Sequence, residues 1–192
     1  MRHKLAMWWN AIFSYPAKHI ETQQPSHDSY WESRGRTKPQ VSPWQKQRAD
    51  IFLRHVQEGS FSVSDIGCGD GSVLGYIKEK REGMTGVGVD GSSNALKHVR
   101  EAGFVSVEAD ISDTDIVFPQ ADYTLLFEII EHVPHAELLL ARAREASTKG
   151  VCISIPNTGF FTYRLRMLFG SFPTQWIQHP SEHVRFWTLR DI

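Results

Sequence analysis

Hydrophobic positions in this chain follow two rhythms that alternate from about Ser62 onward. Short apolar runs rich in β-branched residues stand at 63–66, 85–89, 104–108, 123–127 and 151–155, and between them apolar residues recur every third or fourth position. The first rhythm predicts strands, the second helices with one face on a core. Strands separated by helices build parallel βαβ units. The expected fold is therefore a doubly wound, mainly parallel α/β sheet with ligands at the carboxyl ends of its strands. The run 151–155 reads as a strand buried on both faces.

Helix ends are marked in the sequence. Ser42-Pro43 sets an N-cap and an N1 proline before Trp44, Arg48, Ile51, Phe52 and Val56, predicting a lead-in helix that stops at Gly59. Further helices are expected from Ser72 to about Glu82, from the cap Ser92 to about Ala102, and from Pro134 to about Ser147. Upstream the pattern changes. Residues 1–13 place apolar positions after Arg2, His3 and Lys4 as a secretion signal does, but Asn10 interrupts them and no small-residue cleavage site follows. An amphipathic helix is expected there, packing on the domain, capping the ligand site or touching a membrane surface, with membrane contact the least favoured. Pro16, Pro25, Pro39 and Pro43 punctuate a polar, loop-rich arm. The organisation expected is an arm and lead-in helix over 1–60 and a ligand-binding domain over 61–192.

Composition narrows the partners. At 192 residues, 41% hydrophobic and 22% charged, the chain is long enough for one globular core. A net charge of −1 gives no bulk basic field, which disfavours nucleic acid as a partner. Two cysteines, Cys68 and Cys152, cannot make a disulfide framework, so a reducing, cytoplasmic setting is expected. Cys68 reads as a small filler of a tight turn, because no base is spaced to activate it.

The candidate chemistry begins where the first strand ends, at Asp65-Ile-Gly67-Cys-Gly69-Asp-Gly71. The glycines allow positive φ and close approach of backbone N–H groups to a ligand, and the next helix points its positive end at the same place. A dinucleotide turn needs a third glycine where Ser72 stands, and Asp65 and Asp70 would repel its phosphates. Two carboxylates suit a cationic head instead, such as the ammonium and sulfonium of S-adenosylmethionine. A rival match at Gly86 to Gly91 has its first glycines inside the next strand and is discounted.

This turn resembles motif I of class I S-adenosylmethionine-dependent methyltransferases, and the resemblance runs from about Ser62 to the C-terminus. Asp90, closing the second strand, can accept both ribose hydroxyls. The resemblance gives Asp110 the adenine amino group, although an aspartate there can also simply cap a turn. Phe127 at the end of the fourth strand completes the cofactor set of Asp65, Gly67, Gly69, Gly71, Asp90 and Asp110. Ser29-Tyr30-Trp31-Glu32 resembles the aromatic segment that small-molecule methyltransferases fold over the cofactor; the alternative is an aromatic that pins the arm to the core.

After the fourth strand comes Glu128-Ile-Ile-Glu131-His132. If the backbone turns helical here, Glu128, Glu131 and His132 share one face. The pattern resembles the divalent-metal segment of ubiquinone-pathway O-methyltransferases and small-RNA 2′-O-methyltransferases, and His183 stands where their later histidine would be. Such a set would hold Mg²⁺ or Mn²⁺. Two alternatives remain open: His132 or His183 as a metal-free base, and purely structural bonding. Residues 157–187 resemble the lid of the methionine-biosynthesis protein MetW and of methyltransferases of glycans and lipids. On that lid Arg164 and Arg166 either grip an acidic substrate or form a solvated face.

The function expected is methyl transfer from S-adenosylmethionine to an oxygen, or as second choice a nitrogen, of a small molecule, glycan or lipid precursor. A non-catalytic MetW-like partner protein and a metal-assisted RNA 2′-O-methyltransferase are the alternatives. Oligomeric state is not legible. Finally, Thr188-Leu-Arg-Asp191 reads as a helix start that Ile192 cuts short, and the two last strands that the resemblance implies are missing. The chain is thus expected to be a fragment with an open sheet edge, unless the arm or another chain covers it.

Overall fold

A computed structural model describes residues 28, 31, 39–172 and 183–192. The expected N-terminal helix, most of the arm and the middle of the lid, 173–182, lie outside the described residues. Five parallel strands form one sheet in the order β3-β2-β1-β4-β5, made of Phe61–Ile66 (β1), Met84–Asp90 (β2), Val105–Glu108 (β3), Ala121–Phe127 (β4) and Ser147–Ser154 (β5). Helices Ser72–Lys80 (α2), Ser93–Glu101 (α3) and Ala136–Glu145 (α4) connect them, Pro43–His55 (α1) leads in, and Phe161–Leu168 (α5) follows. The chain winds one way from β1 to β3 and the other way from β4 to β5. The carboxyl ends of β1 and β4 therefore lie side by side at the switch point, where folds of this kind open a ligand crevice.

The two faces of the sheet carry different cores. Val63 of β1 and Leu125 of β4 pack with Ala49, Phe52 and Leu53 of α1 and Leu74 and Ile77 of α2. Ile66 and Leu126, pointing the other way, pack with Leu139 and Ala143 of α4 and Ile130. Each fully buried valine, leucine or isoleucine among them contributes about 1.5–3 kcal/mol. Phe52, Phe61 and Tyr123 meet edge to face at 5.5 to 6.2 Å between centroids, which fixes α1 against the centre of the sheet.

Two helix starts follow the sequence, while the helix expected from Pro134 to about Ser147 runs from Ala136 to Glu145 and Ser147 already opens β5. Ser42 caps α1 and exchanges bonds with Gln45 in a full capping box, and the Ser92 side chain accepts from the Ala95 N–H at the start of α3. Two further expectations need correction. Helix α1 ends at His55, short of Gly59, because Val56 is already extended. Strand β5 is not fully buried on its two faces: it is the edge of the described sheet, and Ile153, on the same face as Val151, is 39% exposed. Its β-branched residues serve one face only, with Val151 packed towards α4. At the end of the chain the Thr188 N–H donates to Asp191, as the capping-box reading requires. No described helix is long and apolar enough to cross a membrane.

Candidate functional site

Gly67, Gly69 and Gly71 all have positive φ, between 56° and 73°, and turn the chain out of β1 into α2. The N–H groups of Gly67 and Cys68 donate to the Val89 carbonyl, which ties the turn to the end of β2. The glycines of the rival motif, Gly86 and Gly88, lie within β2 as expected, and a Cβ on Gly88 would meet the Cys68 sulfur at 2.7 Å. Cys68 is thus a filler between turn and strand, and burial pushes its thiol pKa far up.

Two carboxylates stand inside this turn. Asp65 is buried and its Oδ2 has no hydrogen-bond partner; burial first, and the Asp90 charge second, push its pKa up to about 8. Asp70 bonds the Ser72 N–H through Oδ1, and its buried Oδ2 also lacks a partner. Orphaned carboxylate oxygens are costly to bury, and a cationic ligand group would satisfy both. Asp90 spans two neighbours: Oδ2 accepts from the Gly69 N–H at 2.8 Å and Oδ1 from the Ser92 N–H at 2.9 Å. Asp110 is exposed and accepts from the N–H and hydroxyl of Ser112, so the turn-capping arrangement is formed at this position. The half-exposed Phe127 packs on the α1 side of the core.

The turn is roofed by two side chains from elsewhere. A Cβ added to Gly67 would lie 2.0 Å from Ile129 Cδ1, and one added to Gly69 would lie 2.4 Å from Trp31 Cζ2. Of the expected aromatic segment, Trp31 is described and seated on Gly69, while Ser29, Tyr30 and Glu32 lie outside the described residues. Asp28, three residues earlier in sequence, reaches the start of α3.

The second cluster departs from expectation at Glu128. Its φ is +58°, a left-handed conformation that a glutamate adopts only under constraint. The backbone does not turn helical until Ile130–His132, a single 3₁₀ turn, so Glu128 does not share a face with Glu131 and His132. It turns to Arg48 of α1 at 3.1 Å and accepts from the Ser154 hydroxyl. The four-ligand set is corrected to three: Glu131, His132 and His183, whose ligand atoms lie within 4.8 Å of one another.

His183 arrives because the Glu131 carbonyl accepts from the N–H groups of Val184 and Arg185. Arg185 further bonds the Pro134 carbonyl and Glu137. The His132 and His183 rings meet edge to face, 4.7 Å between centroids. Burial, with His132 adding, lowers the His183 pKa to about 4, so the ring is neutral at ordinary pH. Glu131 is 1% exposed, and neither carboxylate oxygen has a hydrogen-bond partner; burial raises its pKa to about 8, Glu128 adds to the rise and Arg48 opposes it. Ile129 joins the clusters, since its side chain lies on Gly67 three residues before His132.

On the lid, α5 buries an arginine and exposes hydrophobic residues. Arg166 is 1% exposed and donates to the Phe172 carbonyl, whereas Phe161 and Leu168 face outward. Arg166 is therefore not part of a solvated face, whereas Arg164 is exposed. Sequence reasoning missed Asp28, Arg48 and Ile129. Asp28 lies in a polar arm with no periodicity, and Arg48 and Ile129 act through long-range contacts that no spacing announces.

The model of the methionine biosynthesis protein MetW matches residues 46–192. A tRNA (carboxymethyluridine(34)-5-O)-methyltransferase ALKBH8 of Macaca fascicularis is 31% identical over 124 residues, 64% of this chain and 18% of that protein. The chain thus spans less than a fifth of the curated relatives it matches. Among solved structures, a possible histamine N-methyltransferase of Thermotoga maritima superposes with a TM-score of 0.55 at 17% identity, over 77% of this chain and 66% of the other. An O-methyltransferase family 2 protein of Planctomyces limnophilus, in complex with apigenin, gives 0.56 at 21% identity, over 77% and 48%. These likenesses establish the class I methyltransferase fold.

Proposed function

The chain belongs to the family of the methionine biosynthesis protein MetW, and on that premise we propose that it transfers the methyl group of S-adenosylmethionine to an oxygen of a small molecule, glycan or lipid precursor. One observation carries the reading: the orphaned, buried oxygens of Asp65 and Asp70 lie before and among three left-handed glycines at the switch point of the sheet. A ligand with an ammonium and a sulfonium supplies the charge that they lack. Asp90 would release the Gly69 or Ser92 N–H, or share them, to take the ribose hydroxyls. Asp110 and Phe127 would flank the adenine.

The sulfonium is already a good leaving group, so the protein has two tasks. It must align acceptor oxygen, methyl carbon and sulfur, and it must remove one proton. We assign the proton to His132, whose side chain is 36% exposed and reachable by an acceptor. His183, held neutral, packs edge-on to His132 and supports its orientation. When bound, S-adenosylmethionine would supply the methyl group and leave as the neutral thioether, while His132 would take the proton that the acceptor hydroxyl gives up.

A divalent metal is the second reading, favoured by the orphaned carboxylate of Glu131 beside two imidazoles. These three residues would hold it, and it would polarise the acceptor hydroxyl as a Lewis acid. One carboxylate with two imidazoles suits Mn²⁺ or another transition ion better than Mg²⁺. The test is release of S-adenosylhomocysteine against a panel of hydroxylated metabolites, glycan and lipid precursors and tRNA, with Mn²⁺, with Mg²⁺ and with chelator. Turnover of a small acceptor supports the main reading, and turnover of tRNA moves the acceptor to RNA. Loss of turnover in chelator, restored by Mn²⁺, supports the metal. No turnover by a protein that binds the cofactor would favour a non-catalytic partner role.

A further inference from the structure

The Asp28 carboxylate makes three contacts at the start of α3. Oδ1 accepts from the Ser92 hydroxyl at 2.6 Å and the Asn94 N–H at 3.1 Å, and Oδ2 accepts from the Ser93 hydroxyl at 3.3 Å. An acid at the positive end of a helix is stabilised there, and these bonds hold its pKa below the usual carboxylate range. The contacts close a ring. Ser92 donates its N–H to Asp90, Asp90 also accepts from Gly69, Gly69 carries the Trp31 indole, and Trp31 lies three residues beyond Asp28 in sequence. A residue 64 positions from Ser92 in sequence thus holds an aromatic on the second glycine of the turn.

We propose that Asp28 is a positioning residue of the cofactor site: by bonding the N-terminus of α3 it fixes Trp31 over Gly69, where the indole forms a wall of the cofactor pocket. The inference rests on the cofactor reading above. The ring predicts coupling, because the same Asp90 that would take the ribose also bonds the Ser92 that Asp28 grips. Seating of Asp28 and Trp31 and retention of the cofactor are then one process.

The test uses the full chain with S-adenosylhomocysteine as probe, read by stopped-flow dissociation and by amide exchange of Asn94. Asp28→Ala is expected to speed dissociation by about tenfold, the size of one hydrogen bond to a charged group. Trp31→Ala should do the same, and the double variant should add little, as for residues acting through one contact. Asp28→Asn keeps an acceptor oxygen and should recover part of the slow rate. The Asn94 amide should exchange faster in Asp28→Ala before any ligand is added. Dissociation unchanged in Asp28→Ala, or rate effects of the two single variants that simply multiply, would overturn the proposal while the cofactor reading stands. Absence of S-adenosylhomocysteine binding to the unmodified chain would overturn both.

Discussion

The two halves of the candidate site are built in different ways. The centre of the cofactor half is written locally, in the turn after β1 and the adjoining end of β2: three left-handed glycines, Asp70 bonded to the Ser72 N–H and Asp90 bonded to the Gly69 N–H, with the Trp31 and Ile129 side chains added from elsewhere. The acceptor half is made by assembly. Glu128 is forced into a left-handed conformation, Arg48 and Ser154 hold it there, and His183 is brought in from a distant segment of the chain by the Glu131 carbonyl. A half written locally keeps its geometry whatever the lid does. A half assembled from distant segments can change its acceptor by changing those segments, which fits a fold that serves many substrates.

The largest expected effect lies at the seam between them. Gly67→Ala must hold alanine at a φ of +73° and displace Ile129, which leads into the His132 turn. Left-handed strain and overpacking together should cost about 2–4 kcal/mol of stability, read by denaturant unfolding. A cost below about 1 kcal/mol would show that the halves are packed independently.

Next comes Asp65→Asn, confined to the cofactor half. In the free protein the raised pKa means that Asp65 holds a proton well above pH 4, so stability from this group is full below its unfolded pKa and is lost as pH rises through about 8. Binding of a cation requires the ionised form. Affinity for S-adenosylhomocysteine should therefore improve as pH approaches 8 while the free protein's stability falls. In Asp65→Asn both trends should flatten and affinity should drop by about 1.5–3 kcal/mol. Calorimetry and unfolding at several pH values measure both, and an unaltered pH profile would remove Asp65 from ligand binding.

This contrast explains what was legible. The glycine turn, the places of Asp65 and Asp90 at the strand ends and the succession of strands and helices follow from local pattern, because turn chemistry and period act over a few residues. Glu128 was misplaced because its side-chain direction depends on one left-handed φ, which spacing cannot reveal for a non-glycine residue. The proximity of His183 to His132 followed from resemblance alone, and the three-ligand geometry required coordinates. Burial of β5 was overestimated because its edge position is a property of the whole sheet.

The smallest effect sharpens the acceptor half. Glu128→Gly removes the left-handed strain along with a partly exposed ion pair with Arg48, and these changes are of similar size and opposite sign. Stability should change by less than about 1 kcal/mol, while methyl transfer falls because the His132 turn loses its anchor. A stability loss above about 2 kcal/mol would mean that the strain is held by more than these bonds.

The central claim is that the glycine turn with Asp90 seats S-adenosylmethionine. Titration calorimetry of S-adenosylhomocysteine into the unmodified chain and Asp90→Ala tests it most directly. The account predicts one site per chain, with binding weakened by roughly 1.5–3 kcal/mol in Asp90→Ala as charge-assisted bonds to the ribose are lost. Equal affinity in the two proteins, with the fold intact in both, would contradict it.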